Sequence, residues 1–208
     1  MIGIDTLFYI IILIFSVILH EVAHGYVADM QGDPTARLAG RLTLNPVPHI
    51  DLFGSVLLPA LLIFTGSGVV VGWAKPVPYN PYNLRNQKWG TLAVSLAGVA
   101  MNFLVALIFG LLMRFIPGLP PSFLTIAGMI VTLNIILGVF NLLPIPPLDG
   151  SKVLLALFPN WFYPIQEFAE RNFLLVILAL LILLPIFLGP VVGSITKVLF
   201  RLFTGIPL

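Results

Sequence analysis

Leu7-Phe8-Tyr9-Ile10-Ile11-Ile12-Leu13-Ile14-Phe15-Ser16-Val17-Ile18-Leu19-His20-Glu21-Val22-Ala23-His24-Gly25-Tyr26-Val27-Ala28 decides the fold, because it carries two signals at once. The first is length without charge: a membrane-crossing helix needs about 20 mostly apolar residues, and this run supplies them. The second is H-E-x-x-H. Positions i and i+4 of a helix share a face, so His20 and His24 can direct both imidazoles at one metal ion. Glu21 follows His20 directly and can reach a water held by that metal. Zinc bound by two histidines and a further ligand keeps a position open for water and lowers its pKa to about 7. The bland alternative is a chance match on an ordinary helix. Three ionisable side chains in an apolar span weigh against it, since such groups are costly there and mark functional sites.

Composition extends this reading to the whole chain. Of 208 residues, 59% are hydrophobic and 9% charged, whereas soluble domains carry about 25% charged residues. The expectation is an all-α polytopic integral membrane protein with five to six membrane segments, forming a single domain over residues 1–208. Cysteine is absent, which excludes disulfides and thiolate metal sites. A net charge of +2 without a basic run gives no reason to expect a nucleic-acid partner. The first apolar segment lacks the Lys/Arg flank of a signal peptide, so it is expected to be retained.

Along the chain, the first span covers about residues 6–28. A polar, turn-rich stretch runs from there to Asp51, in which Arg37 to Leu44 alternates weakly and suggests a short strand or hairpin. Residues 51–71 are apolar but broken by Gly54, Pro59 and Gly66-Ser67-Gly68, and Gly72 to Pro81 is too proline-rich for a helix. Further spans are expected at about 90–115, 122–143 and 172–188, with a last segment at 190–205. Arg37, Arg41, Lys75, Arg85 and Lys88 flank the first two spans. If both clusters are cytoplasmic, residues 51–71 must return to the side they left, as a re-entrant segment does. Arg114, near the far end of the second span, counts against that topology.

A catalytic zinc site wants a third protein ligand. The chain has one histidine besides His20 and His24, which is His49. Asp149 is the other candidate. It comes after Pro144-Ile145-Pro146-Pro147 and is the only acidic residue between Asp51 and Glu167. It could equally cap a helix beginning near Ser151. On residues alone both candidates stand.

The sequence resembles the site-2 protease family of intramembrane zinc metalloproteases. The resemblance lies in His20-Glu21-Val22-Ala23-His24 within an apolar helix, Gly98-Val99-Ala100-Met101-Asn102, and Asn141-Leu142-Leu143-Pro144-Ile145-Pro146-Pro147-Leu148-Asp149-Gly150. It covers about residues 6–158 and leaves 172–205 as accessory membrane segments. It implies zinc on His20, His24 and Asp149, with Glu21 as the general base. It implies a substrate or oxyanion role for Asn141, and a membrane-associated β-loop at Gly72 to Pro78. For Asn141 the bland alternative is a polar residue satisfying backbone freed by Pro144. Gly98 and Asn102 read more simply as a helix-packing face. His49 stands as a group supporting the metal ligands from behind, a proton shuttle or a substrate contact, or else as a loop histidine at the membrane surface. The form expected is compact, without a PDZ or other regulatory domain.

The activity expected is hydrolysis of peptide bonds within or near transmembrane segments of membrane proteins, in a lipid bilayer, most simply a prokaryotic plasma membrane. Two rival readings keep the same residues: a catalytically idle zinc-binding membrane protein, and an ion or proton transporter using intramembrane His and carboxylate groups. Glu21 separates them, since only hydrolysis needs a base beside the metal.

Overall fold

The computed structural model describes residues 4–64, 72–183 and 188–208. The first helix, α1, spans Ile4–Met30. Nothing in its aliphatic run breaks a helix, and it stops where the sequence turns to Gln31-Gly32-Asp33. Gly32 takes a left-handed φ of +106°, open to glycine at no steric cost. The Asp33 N–H then donates back to the Ala28 carbonyl at 2.9 Å, closing the helix end.

Asp33 organises the loop after α1. Fully buried, its carboxylate accepts from Thr35 N–H and Oγ, Asn80 N–H at 2.6 Å and Asn83 Nδ2 at 2.9 Å. That anchor starts a short helix, α2, at Thr35–Leu38. The strand expected between Arg37 and Leu44 is therefore not formed: α2 and a turn at Gly40 (φ +65°) occupy it. Local hydrogen bonding to one buried carboxylate outweighs a weak two-residue alternation. Burial opposes the charge on Asp33, but these hydrogen bonds outweigh it and hold the carboxyl below the ordinary carboxylate range. A lowered folded-state pKa contributes stability above the unfolded value, about 3.9, which is lost as pH falls through the folded value. Asp33→Ala is expected to destabilise the protein by about 1–3 kcal/mol at pH 7. The gap to wild type should shrink on acidification below about pH 4. Thermal unfolding in detergent at both pH values checks this, and a gap independent of pH would contradict it.

Beyond Asp51, whose carboxylate accepts the Gly54 N–H at 2.7 Å, a wide turn over Leu52–Leu57 runs into α3, Leu58–Phe64. The rest of the expected re-entrant stretch, residues 65–71, lies outside the described residues. The long helix α4, Gln87–Phe115, is capped by Asn86, whose side chain accepts from the Trp89 N–H at 3.0 Å. Pro121 opens α5, Pro121–Asn141, at the position where its missing N–H costs nothing. Three prolines after Leu143 end it. The chain doubles back into α6, Asp149–Leu157, so closely that a side chain at Gly150 would collide with the Leu142 carbonyl. Then come α7, Pro159–Arg171, α8, Phe173–Leu183, and α9, Gly189–Thr204.

All regular structure among the described residues is helical, with no strand. Among the described residues three helices are long and apolar enough to cross a membrane: Leu7–Met30, Gln87–Phe115 and Pro121–Asn141. These answer the first three expected spans. Of the span expected at 172–188, residues 184–187 lie outside the described residues. The last segment, α9, has 16 residues and packs on α4 and α5. It buries Val192, Thr196, Phe200 and Thr204, one residue per turn. At the centre, α4 touches α1, α5, α6 and α9. Leu7 to Ile11 of α1 and Leu104, Ile108 and Leu111 of α4 remain exposed, the apolar outer surface that a bilayer would cover.

Candidate metal centre

The centre forms where α1, α4 and the start of α6 meet. His20 and His24 stand one turn apart on α1, with ring centroids 4.6 Å apart and planes near perpendicular at 85°. Asp149 reaches them from the first turn of α6. Its Oδ2 lies 2.9 Å from His20 Nε2 and 3.1 Å from His24 Nε2, and the two Nε2 atoms are 3.0 Å apart. All three residues are buried.

The protons on these rings can be assigned from their partners. His24 Nδ1 lies 2.6 Å from the Val94 carbonyl, which can only accept. His20 Nδ1 lies 2.6 Å from Asn102 Oδ1. That oxygen must also accept, because Asn102 Nδ2 donates to Asn134 Oδ1 at 2.9 Å and to the Ser16 carbonyl at 3.4 Å. Asn134 is fixed in turn, donating to Ser16 Oγ and the Ile130 carbonyl, each at 2.9 Å. With both Nδ1 atoms protonated, each neutral ring presents a bare Nε2 lone pair. Two Nε2 atoms and a carboxylate oxygen then converge, each 2.9–3.1 Å from the other two. A cation resolves that arrangement, and the donor set of two imidazoles and a carboxylate suits zinc. Tetrahedral ligands about 2.0–2.1 Å from zinc stand about 3.3 Å from each other. The observed separations fall within a few tenths of an ångström of this.

Gly98 makes room for the cluster. A Cβ built there would lie 2.5 Å from His20 Cε1 and His24 Nε2, and 2.6 Å from His20 Nε2. The five-residue unit Gly98 to Asn102 therefore serves the histidines directly, one end by being small and the other by accepting a hydrogen bond. Sequence reasoning gave both residues to helix packing. The clue it passed over is Asn134, a second amide in another apolar span: a buried amide needs partners, and here Asn134 Oδ1 accepts from Asn102 Nδ2.

Glu21 borders a cavity of about 40 Å³ together with His24, Val77, Tyr79, Val94, Ser95, Asp149 and Lys152. That is room for a few waters. The Glu21 carboxylate accepts from the Val77 N–H at 2.8 Å. Residues 72–80 pass the site outside any helix or strand, and the alternation of their amides is that of an extended chain. Their amides alternate: Trp73 donates to the Gly54 carbonyl at 3.1 Å, Lys75 to the His49 carbonyl at 2.9 Å, and Val77 to Glu21.

Asp149 makes no side-chain cap for α6; its carboxylate is spent on the two histidines and Lys152. His49 is buried in the loop before α3, with Nε2 donating to the Thr43 carbonyl at 2.9 Å. It lies outside the metal-ligand cluster and ties the loop to the extended segment through Lys75. Asn141 sits at the end of α5 with Nδ2 on the Leu137 carbonyl at 3.0 Å, and is not among the residues that border the cavity.

Comparison with known proteins adds an independent line. A family model described as peptidase family M50 matches residues 8–125 and 118–184. Two relatives, both named "Putative zinc metalloprotease", are similar to this chain. YwhC of Bacillus subtilis (strain 168) is 38% identical over 162 residues, covering 72% of this chain and 68% of the relative. Rip2 of Mycolicibacterium smegmatis is 33% identical over 142 residues, covering 68% of this chain and 53% of the relative. No solved structure matches.

Proposed function

Because this chain belongs to peptidase family M50 and is an intramembrane zinc metalloprotease, we propose that His20, His24 and Asp149 are its zinc ligands and Glu21 its general base. The observation that carries this is the convergence of two Nε2 atoms and Asp149 Oδ2, with separations of 2.9–3.1 Å, beside a cavity that Glu21 borders. Zinc, when bound there, would polarise the scissile carbonyl and lower the pKa of water to about 7. The chain's own groups then do the rest. Asn102 and the Val94 carbonyl keep both rings in the ligating tautomer. Glu21 takes a proton as water oxygen bonds to the carbonyl carbon, and returns it to the nitrogen as the C–N bond breaks. Val77 N–H holds the Glu21 carboxylate in place.

The substrates are transmembrane segments of other membrane proteins, locally unwound so that their carbonyls leave internal hydrogen bonds. The extended segment at 72–80 guides such a strand, in the manner of an added β-strand. Asn141 contacts substrate in this reading, and reaching the oxyanion requires it to release the Leu137 carbonyl. Residues 1–208 act as one domain, with a core at about 6–158 and accessory membrane segments at 172–205. The chain crosses the membrane five or six times, in a prokaryotic plasma membrane. The bacterial relatives support that location.

The test is zinc content measured beside cleavage. Wild type should carry about one zinc per chain and cut a transmembrane substrate. Asp149→Ala should lose at least about 10-fold in zinc affinity and cease to cut. Full zinc in Asp149→Ala would move the third ligand elsewhere, and no zinc in wild type would end the assignment of a zinc centre to these residues.

A further inference from the structure

The cavity holds a cation that hydrolysis by zinc and Glu21 leaves unused. Lys152 lies one turn beyond Asp149 on α6, with its Nζ 2.9 Å from Asp149 Oδ1. That is the oxygen turned away from the imidazoles, which face Oδ2. The Lys152 side chain is 35% exposed and borders the same cavity as Glu21 and His24. An ammonium carries three N–H donors. Asp149 takes one, and no other hydrogen-bond partner occurs among the described residues. Two donors and a positive charge are therefore available beside the base.

We propose that Lys152 is a further catalytic residue, whose ammonium donates to the carbonyl oxygen of the scissile peptide as that oxygen becomes an oxyanion. This rests on the peptidase reading. As water oxygen bonds to the carbonyl carbon, the C=O π electrons move onto the carbonyl oxygen and the water proton goes to Glu21. On collapse the oxyanion re-forms C=O, the C–N bond breaks, and nitrogen takes the proton from Glu21. Lys152 exchanges no proton; it offers fixed positive charge where negative charge develops. Glu21 and Lys152 thus divide the work by sign, one receiving a proton and the other facing an anion. Pre-set donors of this kind contribute about 10²–10³ in kcat. Asn141, by contrast, has its Nδ2 on the Leu137 carbonyl. The simpler role for Lys152 is to neutralise Asp149, and that role would act through zinc retention.

The experiment compares wild type, Lys152→Met and Lys152→Arg as full chains in detergent. It measures zinc per chain, kcat and KM, and the affinity of a phosphonamidate peptide, a stable mimic of the tetrahedral oxyanion. Lys152→Met is expected to keep its zinc and its KM, and to lose about 10²–10³ in kcat. Phosphonamidate affinity should fall by a similar factor, while the affinity for a plain product peptide holds. Lys152→Arg should recover part of both losses. Unchanged phosphonamidate affinity in Lys152→Met would overturn the proposal. So would a loss of zinc that accounts for the loss of activity, which would leave Lys152 only a support for Asp149. Wild type without zinc or cleavage would instead bring down the peptidase assignment on which the proposal stands.

Discussion

Glu21→Gln is expected to keep zinc at the wild-type level and lose about 10²–10⁴ in cleavage rate. The substitution keeps the side chain's shape, and the amide oxygen can still accept the Val77 N–H that Glu21 accepts at 2.8 Å. It removes the one property the reaction needs there, which is basicity. The proposed ligand atoms belong to His20, His24 and Asp149, so metal binding should not notice the change. Zinc analysis and cleavage of a transmembrane substrate, run on the same preparation, make the test. Cleavage at the wild-type rate would place the base elsewhere. Loss of zinc together with activity would mean that Glu21 acts on the centre's structure rather than on water. A transporter built on the same histidines would be indifferent to this substitution, so the two readings diverge on one variant.

Gly98→Ala is expected to abolish activity by a different route. One added methyl would lie 2.5–2.6 Å from atoms of both imidazoles, closer than the 3.0 Å below which Cβ contacts essentially never fall. Either the rings move or the helices part. The rings are held by Asn102 and the Val94 carbonyl, which lie on α4 together with Gly98. Parting α4 from α1 therefore pulls both hydrogen bonds away from the rings it relieves. The expected result is a loss of zinc affinity of about 100-fold or more, with helix content by circular dichroism unchanged. Zinc retained at the wild-type level would show that α1 and α4 tolerate a wider spacing than the one described.

These two residues mark what the sequence disclosed and what it withheld. Glu21 stands out in the sequence because its pattern is local: H-E-x-x-H on a helix needs no knowledge of the rest of the chain. The three long spans were legible for the same reason, since length and apolarity are local. Asp149 can be suspected from its isolation in an apolar stretch, but that it, rather than His49, lies beside His20 and His24 is visible only where α1 meets α6. Gly98 and Asn102 were visible as a pair, yet their partners sit on another helix and no spacing rule points there. The alternation from Arg37 to Leu44 gives way to α2 because the loop is anchored by the buried Asp33 carboxylate, whose partners at Asn80 and Asn83 are remote in sequence.

The extended segment past Glu21 has one more consequence. The amides of Trp73, Lys75 and Val77 all turn toward the protein. In an extended chain the residues between them turn the other way. There the sequence places Ala74, Pro76 and Pro78, and proline has no N–H to give. The outward rim is thus rich in carbonyls and nearly bare of donors. A visiting peptide could lend its own N–H groups to that rim and receive almost none in return. Such one-sided pairing holds a strand in line without building a full ladder, and it gives stray strands little to seed upon. A substrate on the proposed guide would be held briefly and then released.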